Sequence, residues 1–213
     1  MDKNLKFVYE QRVKRTMENL EKNNIEAYYL QNEKEVLEFV KGFMKDGDTV
    51  SVGGSQTLFE TGVIDYLRCG KYIFLDRYEE NLTPEAIKNI FRKSFFADVY
   101  FTSSNAVTEN GELYNVDGNG NRVAAMLYGP DQVIVIVGIN KIVKDLEAAV
   151  ERNKLISGPA NNTRLNKNTP CTKVGTCMDC KNPERICNEY TVIKRQSKKG
   201  RIKVVIVNKE LGY

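Results

Sequence analysis

The sequence predicts an α/β protein: helices layered on a mixed sheet, with a cysteine-rich insertion. Three observations predict it. Short apolar runs alternate with segments of helical period over residues 25–152, the pattern of helices layered on a sheet. The run Gln132–Gly138 is β-branched and apolar almost without a break, as suits a strand buried on both faces of a parallel sheet. An Asn110-Gly111 turn between strand-like runs marks a hairpin, which interrupts the alternation and makes the sheet mixed at one end.

The elements follow in order. Leu5, Val8, Tyr9, Val13, Met17 and Leu20 recur at helical spacing, so residues 2–23 form a helix that Asn23-Asn24 ends. Ile25–Leu30 is a first strand. Residues 33–45 return to helical period through Val36, Leu37, Val40, Phe43 and Met44, and Asp46-Gly47-Asp48 turns the chain into a short buried strand at 49–52. Gly53-Gly54-Ser55 follows directly and opens a helix through Leu58, Val63, Ile64 and Leu67. Residues 72–76 form the next strand. Thr83 caps, and Pro84 begins, a helix that runs to about Phe96. Asp98–Thr102 is a strand that feeds the hairpin. A helix over Lys141–Arg152 follows the strand at 132–138. Arg201–Val207 is the last strand and returns to the main sheet, so residues 157–190 read as an insertion within one domain spanning 1–213.

Two stretches point to a ligand site. At Gly53-Gly54-Ser55, the order strand, glycine loop, helix presents backbone N–H groups to an anion, and Ser55 or Thr57 can cap the helix; a plain capped turn has the same signature. From Asp98 to Ala125, Asn105, Glu109, Asn115, Asp117, Asn119, Asn121 and Arg122 crowd between apolar strands and read as the floor and rim of a site. An anionic small molecule docked at Gly53, Gly54 and Ser55 would be held by Asn105, Asn119, Asn121 and Arg122. Arg122 can grip a phosphate or carboxylate with two parallel hydrogen bonds, which Lys141 can meet only as a point charge. The string Gly118-Asn119-Gly120 follows a hairpin rather than a strand–helix turn, so no dinucleotide is assigned to it.

Composition narrows the chemistry. The chain has 213 residues, a net charge of +4 and no histidine, which removes the commonest general base and nitrogen ligand. Between Lys181 and Lys203 eight Lys/Arg face two Glu; with no groove-reading motif beside them, they read as a solvated surface rather than a nucleic-acid site. No apolar run reaches the ~20 residues of a membrane helix, and the charged beginning lacks an apolar leader, so a cytoplasmic protein is expected.

Cys171, Cys177, Cys180 and Cys187 are spaced C-x5-C-x2-C-x6-C. Four thiolates on one short, turn-rich segment can wrap a [4Fe–4S] cluster. A structural zinc with four thiolate ligands is the alternative, although zinc ribbons usually carry two C-x-x-C pairs. Free thiols or disulfides are the third reading, disfavoured in a reducing compartment. Cys69, alone near a helix end, is expected to be a small buried apolar residue.

Taken together, VGGSQTL at 52–58, TSSNAVTENGELYNVDGNGNRVAA at 102–125, VIVIVGINKIVKDLEAAVER at 133–152 and the cysteine segment resemble the LUD-domain family of lactate-utilization proteins, over nearly the whole chain. The resemblance implies the fold shared by glucosamine-phosphate deaminases, ribose-phosphate isomerases and coenzyme A transferases: a three-layer, Rossmann-like α/β structure on a mixed sheet, with the ligand at the strand ends. It implies a link to L-lactate oxidation with iron–sulfur carriers, hence redox protein partners; a homo-oligomer is a separate expectation. The central motif is also similar to that of the sugar-phosphate isomerases and the initiation-factor exchange subunits. Here Asn105 stands where the isomerase acid is an Asp, and Val116 where a Lys follows the second Asn. An amide cannot exchange a proton as a carboxyl does, so Glu109 and Asp117 become the candidate catalytic acids. Glu60 and Glu109 are candidates for a transferase-type nucleophile, and loss of the isomerase Asp also allows a non-catalytic regulatory subunit.

Overall fold

The computed structural model describes residues 2–213. The first helix is α1, Lys3–Lys22, whose N-terminus is capped by the Asp2 carboxylate accepting from the amides of Asn4 and Leu5. The strands of the main sheet are β1 (Glu26–Leu30), β2 (Thr49–Val52), β3 (Ile73–Leu75), β4 (Val99–Thr102), β7 (Gln132–Gly138) and β10 (Ile202–Val207). Among the described residues they pair in the order β1-β10-β7-β4-β2-β3, and every pairing is parallel. The last strand in sequence therefore lies inside the sheet, between β1 and β7.

The antiparallel character lies elsewhere. β5 (Ala106–Thr108), β6 (Leu113–Asp117), β8 (Ile142–Val143) and β9 (Glu189–Ile193) form a separate sheet ordered β8-β5-β6-β9. The hairpin predicted at Asn110-Gly111 joins β5 to β6, and α1 clamps its tip: Asn19 Nδ2 donates to Glu109 O at 2.8 Å and Asn23 Nδ2 to Asn110 O at 3.0 Å.

Alternation along β7 shows how the layers stack. Ile134 and Ile136 face one cluster with α2 (Glu35–Lys41), α3 (Gln56–Glu60) and α4 (Val63–Leu67). Val133, Val135 and Val137 face the other, with α1, α6 (Asn121–Leu127) and the inner face of the second sheet. That burial on both faces is what the unbroken β-branched run encodes; each such side chain contributes roughly 1.5–3 kcal/mol of apolar transfer. The outer face of the second sheet, at Ala106 and Tyr114, is closed by Ala149 of α7 (Leu146–Arg152).

Four local expectations change. The helix after Ser55 is two short helices, α3 and α4, broken at Thr61-Gly62. Lys141 does not begin a helix. It ends a 3-10 turn at 139–141 and leads into β8, because Asp145, whose carboxylate accepts from Ala148 N, is the residue that caps α7. The segment 157–190 contains α8 (Gly158–Arg164) and α9 (Cys171–Val174) and ends by entering β9 against β6. Cys69 is exposed in the turn after α4, where the helix has already ended and no core lies beneath it. The remaining helix, α5 (Pro84–Lys93), starts at the predicted Thr83 cap.

Candidate functional site

A parallel sheet gathers the ends of its strands on one edge, and ligands of such sheets bind there. Here the residues following β2, β3, β4 and β7 meet with the start of α6, α8 and the chain's last residues around a cavity of about 220 Å³. Gly54, Ser55, Asn105, Asp117, Asn119, Asn121, Arg122 and Lys141 all line it. The structure thus brings together most of the residues that the sequence nominated from three separated stretches.

Three nominated residues do other work. Gly53 does not line the cavity, and its amide donates to Phe101 O at 2.8 Å, continuing the β2–β4 ladder. A Cβ there would lie 2.7 Å from Thr102 Oγ1 and 2.9 Å from Arg122 Cγ, so glycine is needed to let the arginine stem pass rather than to cradle an anion. Thr57 is fully buried beneath Lys141. Glu109 is remote from the cavity: its carboxylate accepts from Arg12 Nε at 2.8 Å and Arg15 Nη2 at 2.8 Å, tying the hairpin to α1.

Arg122 is in the cavity wall with both terminal nitrogens committed to the protein. Nη1 donates to Asn115 Oδ1 at 2.7 Å and Ser103 O at 3.1 Å; Nη2 donates to Val116 O at 3.0 Å and Asn105 Oδ1 at 3.1 Å. Nε lies 3.5 Å from Asp117 Oδ2. The four N–H groups on Nη1 and Nη2 are thus matched by protein acceptors, and Nε faces the Asp117 carboxylate, so Arg122 is built into the cavity wall. Asp117 is likewise engaged, accepting from Val123 N at 3.2 Å and Gly118 N at 2.9 Å, and Asn105 Oδ1 also accepts from Val116 N at 2.9 Å.

The uncommitted charges are ones that sequence patterns did not single out. Arg77, two residues past β3, lines the cavity with its guanidinium over the Phe91 ring at 4.6 Å. Arg164, at the end of α8, lines it too and donates to Asn161 Oδ1 at 2.8 Å. Among the described residues neither forms an ion pair with a carboxylate. The only signal for Arg77 is its place just after a parallel strand. Arg164 lies in a segment whose cysteines attract the eye first.

Lys141 is 3% exposed, with Nζ 3.1 Å from Thr57 Oγ1 and 3.0 Å from Ser103 Oγ. Burial, then the charges of Arg152 and Arg122, pull its pKa down to about 7 against a small opposing pull from Glu60. Arg77 and Arg164 give the cavity a cationic lining suited to a small anion, with the Lys141 amine beside them.

The cysteine segment forms one wall of this cavity through Ser157, Asn161, Arg164, Leu165 and Ile186. It is tied down by Asn188, whose amide donates to Asp117 O at 2.9 Å, and by Cys177 N donating to Lys154 O at 2.9 Å. A Cβ on Gly118 would sit 3.2 Å from Ile186 Cα, so glycine lets the segment approach the hairpin. Arg185 joins two cysteine backbones, donating to Cys180 O and, from Nη2 at 2.7 Å, to Cys187 O. The Cys187 thiol is pushed up by burial, and further by Cys177 and Cys180, against the pull of Arg185. Cys171 is buried, 3.2 Å from Thr169 Oγ1. Four thiols without histidine suit an iron–sulfur or zinc group chemically, but the placement does not: among the described residues no three His, Cys, Asp or Glu side chains are arranged to hold a metal ion. Among the described residues no helix is long and apolar enough to cross a membrane.

Residues 13–207 match the profile of a family described as the LUD domain. No curated protein matches the chain in sequence. Among solved structures, the chain is similar to a DUF162 family protein from Deinococcus radiodurans, at 12% identity and a TM-score of 0.52, covering 93% of this chain and 98% of that one; the likeness is one of fold. Weaker similarities, with TM-scores of 0.36 and 0.32, are to eIF2B beta from Chaetomium thermophilum, at 16% identity over 53% of this chain and 43% of that one, and to ribose 5-phosphate isomerase from Plasmodium falciparum, at 15% identity over 53% of each.

Proposed function

The chain belongs to the LUD domain family, which is linked to lactate utilization, and on that premise we propose that it binds a small 2-hydroxyacid or its oxidation product through the carboxylate, in the cavity at the strand ends. One observation carries the reading: two cavity guanidiniums, Arg77 and Arg164, have no carboxylate partner within ion-pair distance among the described residues. Arg77 supplies a planar fork for a carboxylate, held by the ring of Phe91. Lys141 supplies a buried amine at the reacting end. Asn119 and Asn121, at the rim, offer amide groups for a hydroxyl or carbonyl oxygen.

The finer reading is an iron–sulfur component of 2-hydroxyacid oxidation. The four thiols lie on the segment that walls the cavity, with Cys187 next to the lining residue Ile186, and this supports it. That no three of these side chains are arranged around a common point among the described residues weighs against it. Zinc with the same ligands, serving only to staple the segment, is the competing occupant.

Calorimetric titration of the full chain with L-lactate and with pyruvate tests the carboxylate site. Binding weakened roughly ten- to a hundredfold by Arg77→Gln, as expected for one charge-assisted contact of about 1.5–3 kcal/mol, supports it. Absence of binding, or equal binding by the variant, rules it out.

A further inference from the structure

Lys141 is a lysine without a counter-ion at the floor of a cavity. Its Nζ makes two hydrogen bonds, both to hydroxyl oxygens. Those hydroxyls have their own protons directed elsewhere: Thr57 Oγ1 donates to Leu211 O at 3.3 Å, and Ser103 Oγ toward Ser104 O at 3.5 Å. Each hydroxyl therefore accepts from the lysine. A neutral amine has two N–H donors and one lone pair. The two donors are matched by Thr57 and Ser103, and the lone pair is left over. An ammonium would carry a third proton with no acceptor among the described residues.

The charged groups around Nζ favour the neutral form. Arg122 from α6 and Arg152 from α7 repel a proton, and only Glu60 of α3 attracts one. Arg152 is itself fixed, donating to Asn105 O at 2.7 Å and Asn140 O at 3.0 Å, so it cannot swing away. The surroundings are those of a lysine kept as a nucleophile rather than as a fixed charge.

We propose that the Lys141 amine condenses with the carbonyl of a small 2-oxoacid held in the cavity, forming a lysine imine; the step rests on the reading of the cavity as a carboxylate site. Arg77 holds the carboxylate and places the adjacent carbonyl carbon toward Nζ. The nitrogen lone pair forms the new C–N bond, and the carbonyl oxygen takes the proton that the nitrogen gives up. The resulting carbinolamine then loses that hydroxyl with a second proton from nitrogen as water, leaving C=N. Amine and carbonyl become imine and water, with no change of oxidation state. Ser103, which lines the cavity and is already bonded to Nζ, is placed to relay those protons.

The test is reductive trapping on the unmodified full chain, with pyruvate and cyanoborohydride near neutral pH, followed by peptide mapping. Near pH 7 about half of an amine with a pKa near 7 is neutral, against less than about one part in a thousand for an ordinary lysine. The expected result is an adduct at Lys141 in at least roughly tenfold excess over any other lysine, with a trapping rate that levels off above about pH 7. Trapping weakened by Arg77→Gln adds support, since the carboxylate clamp is then lost. Pyruvate binding in the calorimeter with adducts spread evenly over exposed lysines overturns the imine and leaves the carboxylate site standing. No binding of either pyruvate or L-lactate overturns both.

Discussion

Arg122 Nη2 donates to Asn105 Oδ1 at 3.1 Å, and the same oxygen accepts the amide of Val116 at 2.9 Å. One side-chain oxygen thus joins the end of β4, strand β6 and helix α6. Replacing Arg122 with Lys keeps the charge but loses the fork, leaving acceptors such as Asn115 Oδ1 unpaired in the interior. The expected cost is about 2–4 kcal/mol, read as a lower urea midpoint. An unchanged midpoint would show that the guanidinium is not what holds this wall.

Glu109 serves as the opposite control. Its carboxylate pairs with Arg12 and Arg15 at the surface of α1 and does not reach the cavity. Glu109→Gln is expected to cost no more than about 1 kcal/mol, as partly exposed ion pairs do, and to leave anion binding by calorimetry unaltered. A large loss of binding would return this residue to the list of candidate acids.

Cysteine labelling under anaerobic conditions separates the occupants of the cysteine segment. Cys69 is exposed and Cys171 buried, while Cys177, Cys180 and Cys187 are half-buried. If the chain carries an iron–sulfur group, the expected pattern is fast alkylation of Cys69 and protection of the other four, together with bound iron and sulfide and loss of both in Cys180→Ser. Protection with zinc and no sulfide identifies the staple. Alkylation of Cys177, Cys180 and Cys187 at rates near that of Cys69 removes the metal readings altogether.

How much of this was legible in the sequence depends on the range of the signal. The β-branched run of β7, the Thr83 cap and the Asn-Gly hairpin are local, and the structure realises each of them. The crowding of polar residues between Asp98 and Ala125 marks a cavity wall for a similar reason: Asn105 and Asn119 lie on the connections before β5 and after β6, and Asn121 and Arg122 on the first turn of α6, which meet at the cavity. What local pattern cannot convey is which groups face each other. Arg122 looks like a ligand clamp until Asn105, Asn115, Ser103 and Val116 are placed around it. Glu109 looks catalytic until α1 is packed against the hairpin. Arg77 and Arg164 carry no motif at all, and their role depends on strand order, which places the end of β3 and the end of α8 at one cavity. The second sheet is hidden for the same reason, since β9 joins β6 across more than 70 positions of sequence.

Lys141 gives stability a pH dependence whose sign can be worked out. Its pKa in the folded chain is about 7, against an ordinary value of 10.5. Between those values the unfolded chain holds a proton that the folded chain does not, so stability rises with pH across that window. The contribution is least favourable below about pH 7, where folding must either charge a buried amine or leave it to lose its proton, and the penalty is gone above the unfolded value. Lys141→Met removes the amine while filling similar space. The expected result is a variant more stable than the parent at neutral pH, with the difference shrinking toward pH 10, measured as paired urea midpoints across the range. Pairing cancels the tyrosines and cysteines that also titrate there. Anion affinity should run the other way: a charged Lys141 below about pH 7 adds attraction for a carboxylate, so binding weakens as pH rises through that value. A constant stability difference between the two proteins from pH 6 to 10 would mean that Lys141 stays charged in its pocket, and the neutral amine on which the imine depends would be lost with it.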